Sequence, residues 1–258
     1  MAGFPALPQD YDTWMFGGGM AVCRREAAGD LRALLHETTL YDWAARQPGR
    51  ESFTGRGAAY GVSLGSRRLV VRHARHGGAL APLLRDRYLG PPRFLREIAM
   101  SQHLQGCGIA TPTVVAGVLY RSGVGHRADI ATERVDGRDL AEIFFGAAPP
   151  TGELRNEILS ATGKAIRRLH DCGLIHPDLQ LRNVLIEDPS PSLSAPPSPS
   201  AWLLDIDTCR AVRKGDDASL RWNLRRFARS WEKFNRLRGP RLTEGDRAAF
   251  AAGYSATS

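Results

Sequence analysis

The clearest hydrophobic pattern along the chain begins near Ser52. "ESFTGRGAAYGVSLGSRRLVVRHARHGG" alternates short runs of strand-forming residues with glycine-bearing turns, and it predicts three strands ending in Leu69-Val70-Val71-Arg72. The period then changes. In "PPRFLREIAMSQHLQGCGIATP", Phe94 and Ile98, then Glu97, Ser101 and Leu104, recur at helical spacing, Gly106 and Gly108 are stop signals, and Pro112 blocks extension. "TPTVVAGVLYRSGVGHRADIATERV" returns to two apolar runs around a turn at Ser122 to Gly125, a hairpin. Further on, Leu154, Ile158, Ala161, Ala165 and Leu169 share one helical face, with Thr151 as N-cap and Gly173 as the stop after Asp171. "NVLIE" and "AWLLDID" read as the two strands of a second hairpin. They are separated by a Pro/Ser segment, 188–201, too polar for a core and read as a flexible insertion. The arginine-rich remainder is helical, and residues 1–50 carry no clear period and read as an N-terminal extension.

Strands first and helices later predict an α+β chain of two lobes. The first, 51–135, is an antiparallel sheet with one helix; the second, 136–258, is mainly helical. The length of 258 residues suffices for both, and 43% apolar with 24% charged residues is an ordinary globular composition.

The net charge of +8 points to anionic partners: nucleotide phosphates, nucleic acid or an acidic membrane surface. Nearly all of the positive charge is arginine, since the only lysines are Lys164, Lys214 and Lys233. The arginines are spread along the chain without a nucleic-acid-binding motif, so no nucleic-acid partner is expected. Cys23, Cys107, Cys172 and Cys209 form no CxxC pair, so neither a zinc site nor a disulfide framework is indicated and reduced thiols are expected. No basic-then-apolar leader opens the chain and no apolar run reaches about 18 residues, so a cytoplasmic protein with at most peripheral membrane contact is expected.

The chemistry concentrates in "LIHPDLQLRNVLIE". Asp178 is placed to accept a proton from an attacking hydroxyl, and Asn183, five residues on, to hold a metal ion. Taken alone the stretch is also a serviceable polar turn. Asp205, ending the apolar strand of "WLLDIDTCR", supplies a third oxygen donor at the same end of the predicted hairpin, and carboxylate and amide oxygens suit magnesium. Upstream, Gly55, Gly57 and Gly61 form a loose glycine loop between two strands. With no lysine in the N-terminal half, the phosphate-contacting cation would be Arg72, ion-paired to Glu97.

These residues, with "VVRHARHGG", "FLREIAMSQHLQGCGIATPTVVAG", "LHDCGLIHPDLQLRNVLI" and "LLDIDTCR", resemble the bacterial lipopolysaccharide core kinases, which have a protein-kinase-like fold. "RHARHGG" (72–78) and "NLRRFARSWEKF" (223–234) are most similar to those acting on the sugar 3-deoxy-D-manno-octulosonic acid, Kdo. The resemblance implies ATP and Mg2+ as cosubstrates and Kdo-lipid A, an anionic glycolipid, as acceptor through its 4-hydroxyl. It also implies an adenine-receiving hinge at Glu133 to Val135 and work at the cytoplasmic face of the inner membrane. A heptose or another hydroxyl acceptor, or a catalytically silent scaffold, remain the competing readings. Gln180 departs from the asparagine usual after Asp-Leu, and Arg72 from the usual lysine.

Overall fold

The structure is a computed structural model and describes residues 7–54, 58–74, 92–122, 125–188 and 198–256. The chain divides into two compact units, Met1–Ser101 with Thr113–Arg134, and Gln102–Pro112 with Val135–Ser258.

The first unit is a seven-stranded antiparallel sheet in the order β1-β2-β6-β7-β5-β4-β3. Its strands are β1 (Tyr11–Phe16), β2 (Gly19–Arg24), β3 (Glu51–Thr54), β4 (Ala58–Leu64), β5 (Arg67–His73), β6 (Val114–Ser122) and β7 (Gly125–Glu133). The expected meander and hairpin are there as β3-β4-β5 and β6-β7. The expectation that residues 1–50 stand apart as an extension is overturned, because β1 and β2 complete the sheet by pairing β2 on β6 from Gly19↔Tyr120 to Cys23↔Ala116. Between β2 and β3 lie α1 (Ala28–Leu35) and α2 (Leu40–Arg46), so this unit carries more than the single helix expected.

Both faces of the sheet are covered, which is why β2 and the first half of β6 read as unbroken apolar runs instead of alternating ones. Ala21, Cys23, Val118 and Ala131 pack with Leu31, Leu34, Leu35 and Leu40 of the two short helices. Val22, Ala128 and Ile130, their strand neighbours, face the other way and pack with Phe94, Leu95 and Ile98 of α3 (Arg93–Gly106). The approach of α3 is close enough that a Cβ on Gly117 would stand 2.2 Å from the Phe94 ring, so only glycine fits there.

The second unit holds β8 (Gly137–Asp139), α4 (Leu140–Phe145), α5 (Gly152–Asp171), β9 (Leu174–Ile175), β10 (Val184–Glu187), β11 (Ala201–Leu203), β12 (Arg210–Ala211), α6 (Asp217–Arg238) and α7 (Glu244–Ser255). "NVLIE" and "AWL" do pair, Val184↔Leu203 through Ile186↔Ala201, and β8 adds to the other side of β10. The insertion between them lies outside the described residues over 189–197. Thr151 occupies the N-cap of α5 but makes no side-chain cap bond, while Gly173 takes the left-handed conformation (φ +68°) that ends this helix. Helices α5 and α7 cross backbone to backbone: a Cβ on Gly253 would lie 2.1 Å from the Ser160 carbonyl oxygen, and one on Gly163 2.3 Å from that of Phe250.

Segment 102–112 joins this unit because Leu203 N–H donates to Ala110 O (2.9 Å) and Thr111 Oγ1 to Leu203 O (2.9 Å). That docking brings Cys107 to Cys172, the C-cap of α5, and the two form a disulfide with a Cα–Cα distance of 6.5 Å. The expectation of four reduced thiols is corrected accordingly. The partners are 65 residues apart in sequence, and no local spacing signals them. Cys23 and Cys209 are free and buried.

Candidate active site

The segment from His176 to Asn183 leaves β9, turns, and runs through a short 3-10 turn (Leu181–Asn183) into β10. Its closure is internal: the Asn183 side-chain amide donates to the backbone carbonyl of Asp178 at 2.8 Å. Because that acceptor is a carbonyl, the amide nitrogen must face it, which leaves Asn183 Oδ1 as the atom on offer. The β10–β11 ladder then brings the end of β11 alongside, with Leu204 N–H donating to Asn183 O at 2.9 Å. Asp205 follows immediately. It is the only non-glycine residue with positive φ among the described residues (φ 57°, ψ 42°), a conformation that costs an L-residue energy and that persists where surroundings impose it. Its side chain is exposed and accepts no hydrogen bond from the described residues.

His176 ties the two sides together. Completely buried, it places Nε2 2.9 Å from Leu204 O, so Nε2 carries the proton and donates. Burial lowers its pKa below the ordinary histidine value, which keeps the ring neutral. The histidine of the motif is therefore a strut between the loop that carries Asp178 and the end of β11 next to Asp205.

Helix α6 holds the loop from behind through three residues on one face, Asn223, Arg226 and Ser230, at the i, i+3, i+7 spacing of a helix. Asn223, fully buried, accepts from His176 N–H (3.1 Å) and donates to His176 O (2.6 Å). Its Oδ1 also lies 3.0 Å from His170 Nε2, and His170 Nδ1 accepts from Tyr254 Oη at 2.7 Å. Burial lowers the pKa of His170 as well. Ser230 Oγ accepts from Leu181 N–H at 3.2 Å. Arg226 Nη2 donates to Asp178 Oδ1 at 2.6 Å, and Gln180 Nε2 approaches Asp178 Oδ2 at 3.3 Å. The departure at Gln180 thus keeps a contact to the candidate base. Sequence reading assigned no role to Asn223, Arg226 or Ser230; their shared helix face was the signal available.

Asn183 Oδ1 and the Asp205 carboxylate fit magnesium, which favours one or two protein oxygens and fills the remaining positions with water and substrate phosphates. Among the described residues no group of three His, Cys, Asp or Glu side chains could hold a metal unaided.

In the first unit, Arg72 sits in β5 between Ala59 of β4 and Ile130 of β7 and donates through Nη2 to Glu97 Oε1 at 2.6 Å. Glu97 is buried on α3, where an unpaired carboxylate would be costly. The pairing is the one expected from the sequence. Gly55 and Gly57 lie outside the described residues. Gly61 is corrected from a loop residue to a strand residue: it stands in β4 opposite Glu51 and Val70, where a Cβ would press on the Phe53 ring at 3.1 Å. Glu133 ends β7, its N–H donating to Thr113 O at 2.8 Å, and Val135 opens the second unit.

Residues 42–254 match the lipopolysaccharide kinase (Kdo/WaaP) family. Curated relatives named 3-deoxy-D-manno-octulosonic acid kinase match the chain, among them the following three. That from Actinobacillus succinogenes is 34% identical over 81% of this chain and 86% of its own. The Vibrio cholerae protein is 33% identical over 70% and 73%, and the Vibrio parahaemolyticus protein 30% over 74% and 76%. Among solved structures, WaaP in complex with acyl carrier protein superposes with a TM-score of 0.55 at 18% identity, covering 87% of this chain and 85% of that one, a likeness of fold. The sheet unit, the helical unit with its loop of Asp178 and Asn183, and these matches together establish that the chain belongs to the lipopolysaccharide kinase (Kdo/WaaP) family and has its kinase-like fold.

Proposed function

We propose that the protein transfers the γ-phosphoryl group of ATP to the 4-hydroxyl of the Kdo sugar on lipid A. The observation that carries the reading is the junction of the Asp178–Asn183 loop with Asp205, closed by the Asn183 amide, the Leu204 N–H and the His176 strut. Asp178 receives and orients the acceptor hydroxyl and takes its proton. Phosphoryl transfer passes through a loose transition state, so orientation matters more than basicity, and a carboxylate held by Arg226 and Gln180 is well suited to it.

Asn183 and Asp205 are the residues that would hold Mg2+, which when bound neutralises charge on the phosphate oxygens. Arg72, fixed by Glu97, is the cation for the nucleotide phosphates. Gly55 and Gly57, expected from the sequence to contact those phosphates, lie outside the described residues, and the backbone from Glu133 to Val135 would receive adenine. A silent scaffold is disfavoured because all three of Asp178, Asn183 and Asp205 are retained. The charge of +8 favours an anionic glycolipid at the cytoplasmic face of the inner membrane, reached by peripheral contact. No helix among the described residues is long and apolar enough to cross a membrane.

The test is transfer of labelled γ-phosphate from ATP, with magnesium, to a lipid A precursor bearing Kdo and to one lacking it. Label on the Kdo acceptor alone is expected. Labelling of neither, or transfer only to a heptose-bearing acceptor, overturns the Kdo assignment. Asp205→Ala is expected to abolish turnover with circular dichroism unchanged, and near-normal turnover in that variant removes Asp205 from the metal site.

A further inference from the structure

Of the three α6 residues that meet the catalytic loop, Arg226 behaves differently from the other two. Asn223 and Ser230 are buried and meet the loop through its backbone groups alone, so their contacts with it end in holding it. The Arg226 side chain is 30% exposed, and its bond goes to the side chain of Asp178, itself 18% exposed. A guanidinium presents five N–H groups in a rigid fork. Among the described residues Asp178 is the one hydrogen-bond partner of Arg226, so further donors reach solvent beside the point where an acceptor hydroxyl on Asp178 must lie. The loop offers no substitute of its own. Its single cation, Arg182, lies over the Phe234 ring at 5.7 Å and acts on Asp139.

An acid sugar brings a second carboxylate to within a few ångströms of Asp178, and two carboxylates at that separation repel each other strongly where water is excluded. A neutral sugar presents no such difficulty. A site that takes an acidic acceptor on Asp178 therefore needs a cation on the same side, and a planar fork matches a carboxylate in two parallel hydrogen bonds.

We propose that Arg226 binds the carboxylate of the acceptor sugar while holding Asp178, and so selects an acidic over a neutral acceptor. This rests on the Kdo reading above and on Asp178 as the residue that meets the acceptor hydroxyl.

The test measures kcat and KM for Kdo-lipid A and for the same acceptor with its carboxyl reduced to the alcohol, using the wild type, Arg226→Gln and Arg226→Lys. The wild type is expected to lose about 10- to 100-fold in kcat/KM on the reduced acceptor, the scale of one charge-assisted hydrogen bond. Arg226→Gln lowers kcat on both acceptors alike, because Asp178 loses its holder, and beyond that common factor raises acceptor KM for the native acceptor alone, so the ratio of kcat/KM between the two acceptors collapses towards one. Arg226→Lys keeps the charge and recovers part of the discrimination. The KM for ATP stays unchanged throughout, which a loop merely disordered by the substitution would not produce. If Arg226→Gln still discriminates by the full wild-type factor, or raises the KM for ATP instead of that for the acceptor, the proposal is overturned. A wild type that labels neither acceptor fails the Kdo reading itself, and this proposal with it.

Discussion

Replacing Asn223 by alanine removes three hydrogen bonds at a fully buried position: the acceptor for His176 N–H, the donor to His176 O, and the partner of His170 Nε2. A buried donor or acceptor left without a partner costs about 1–3 kcal/mol. Three such groups, partly relieved by an entering water, are expected to cost about 3–6 kcal/mol, a large part of a domain stability of about 5–15 kcal/mol. Ser230→Ala exposes one comparable deficit, at Leu181 N–H, and serves as the internal scale at about 1–2 kcal/mol. The assay is urea unfolding followed by tryptophan fluorescence, with Trp231 on α6 as a reporter, beside kinase turnover. Both variants should keep the wild-type m-value, and Asn223→Ala should lower turnover more steeply because His176 bonds Leu179 N–H and Leu204 O, the neighbours of Asp178 and Asp205. A cost for Asn223→Ala no greater than that for Ser230→Ala would refute the claim that α6 holds the loop through this side chain.

Three further outcomes follow from the second unit. Gly253→Ala drives a methyl against the Ser160 carbonyl, 2.1 Å away, and forces α5 and α7 apart, so a thermal midpoint lower by several degrees is expected, while an unchanged midpoint contradicts the close crossing. Burial holds His170 and His176 below the ordinary value of 6.5, so the stability they contribute as neutral rings is fully present above about pH 6.5 and is lost as pH falls through their lowered folded values. Midpoints measured from about pH 7.5 down to about pH 5 should fall, less so in His170→Gln, and a flat profile would contradict the assignment. Reduction of Cys107–Cys172 reopens a 65-residue loop, worth about 4 kcal/mol of chain entropy in the unfolded state. Thiol titration of the denatured, unreduced protein should find two free cysteines of four, and finding four would exclude the bond.

The sequence carried the elements whose period is local. The meander after Ser52, the helix at Phe94 to Leu104, the hairpin at Ser122 to Gly125 and the pairing of "NVLIE" with "AWL" all came from alternation, helical spacing and turn residues, and the structure forms them. Residues 19–24 were missed because a strand buried on both faces shows no alternation, so β2 has no period to read, although Leu31, Leu34 and Leu35 of α1 did offer one. The candidate chemistry of Asp178, Asn183 and Asp205 was legible because those residues lie within one hairpin, where sequence order and spatial order nearly coincide. The tertiary structure alone decided what holds them. Asn223, Arg226 and Ser230 reach the loop from a helix about fifty positions downstream, Cys107 finds Cys172 across 65 residues, and Asp205 adopts a left-handed backbone just past the ladder. Local patterns record how a segment buries its own apolar face; contacts between distant segments depend on packing, and no spacing along the chain encodes that.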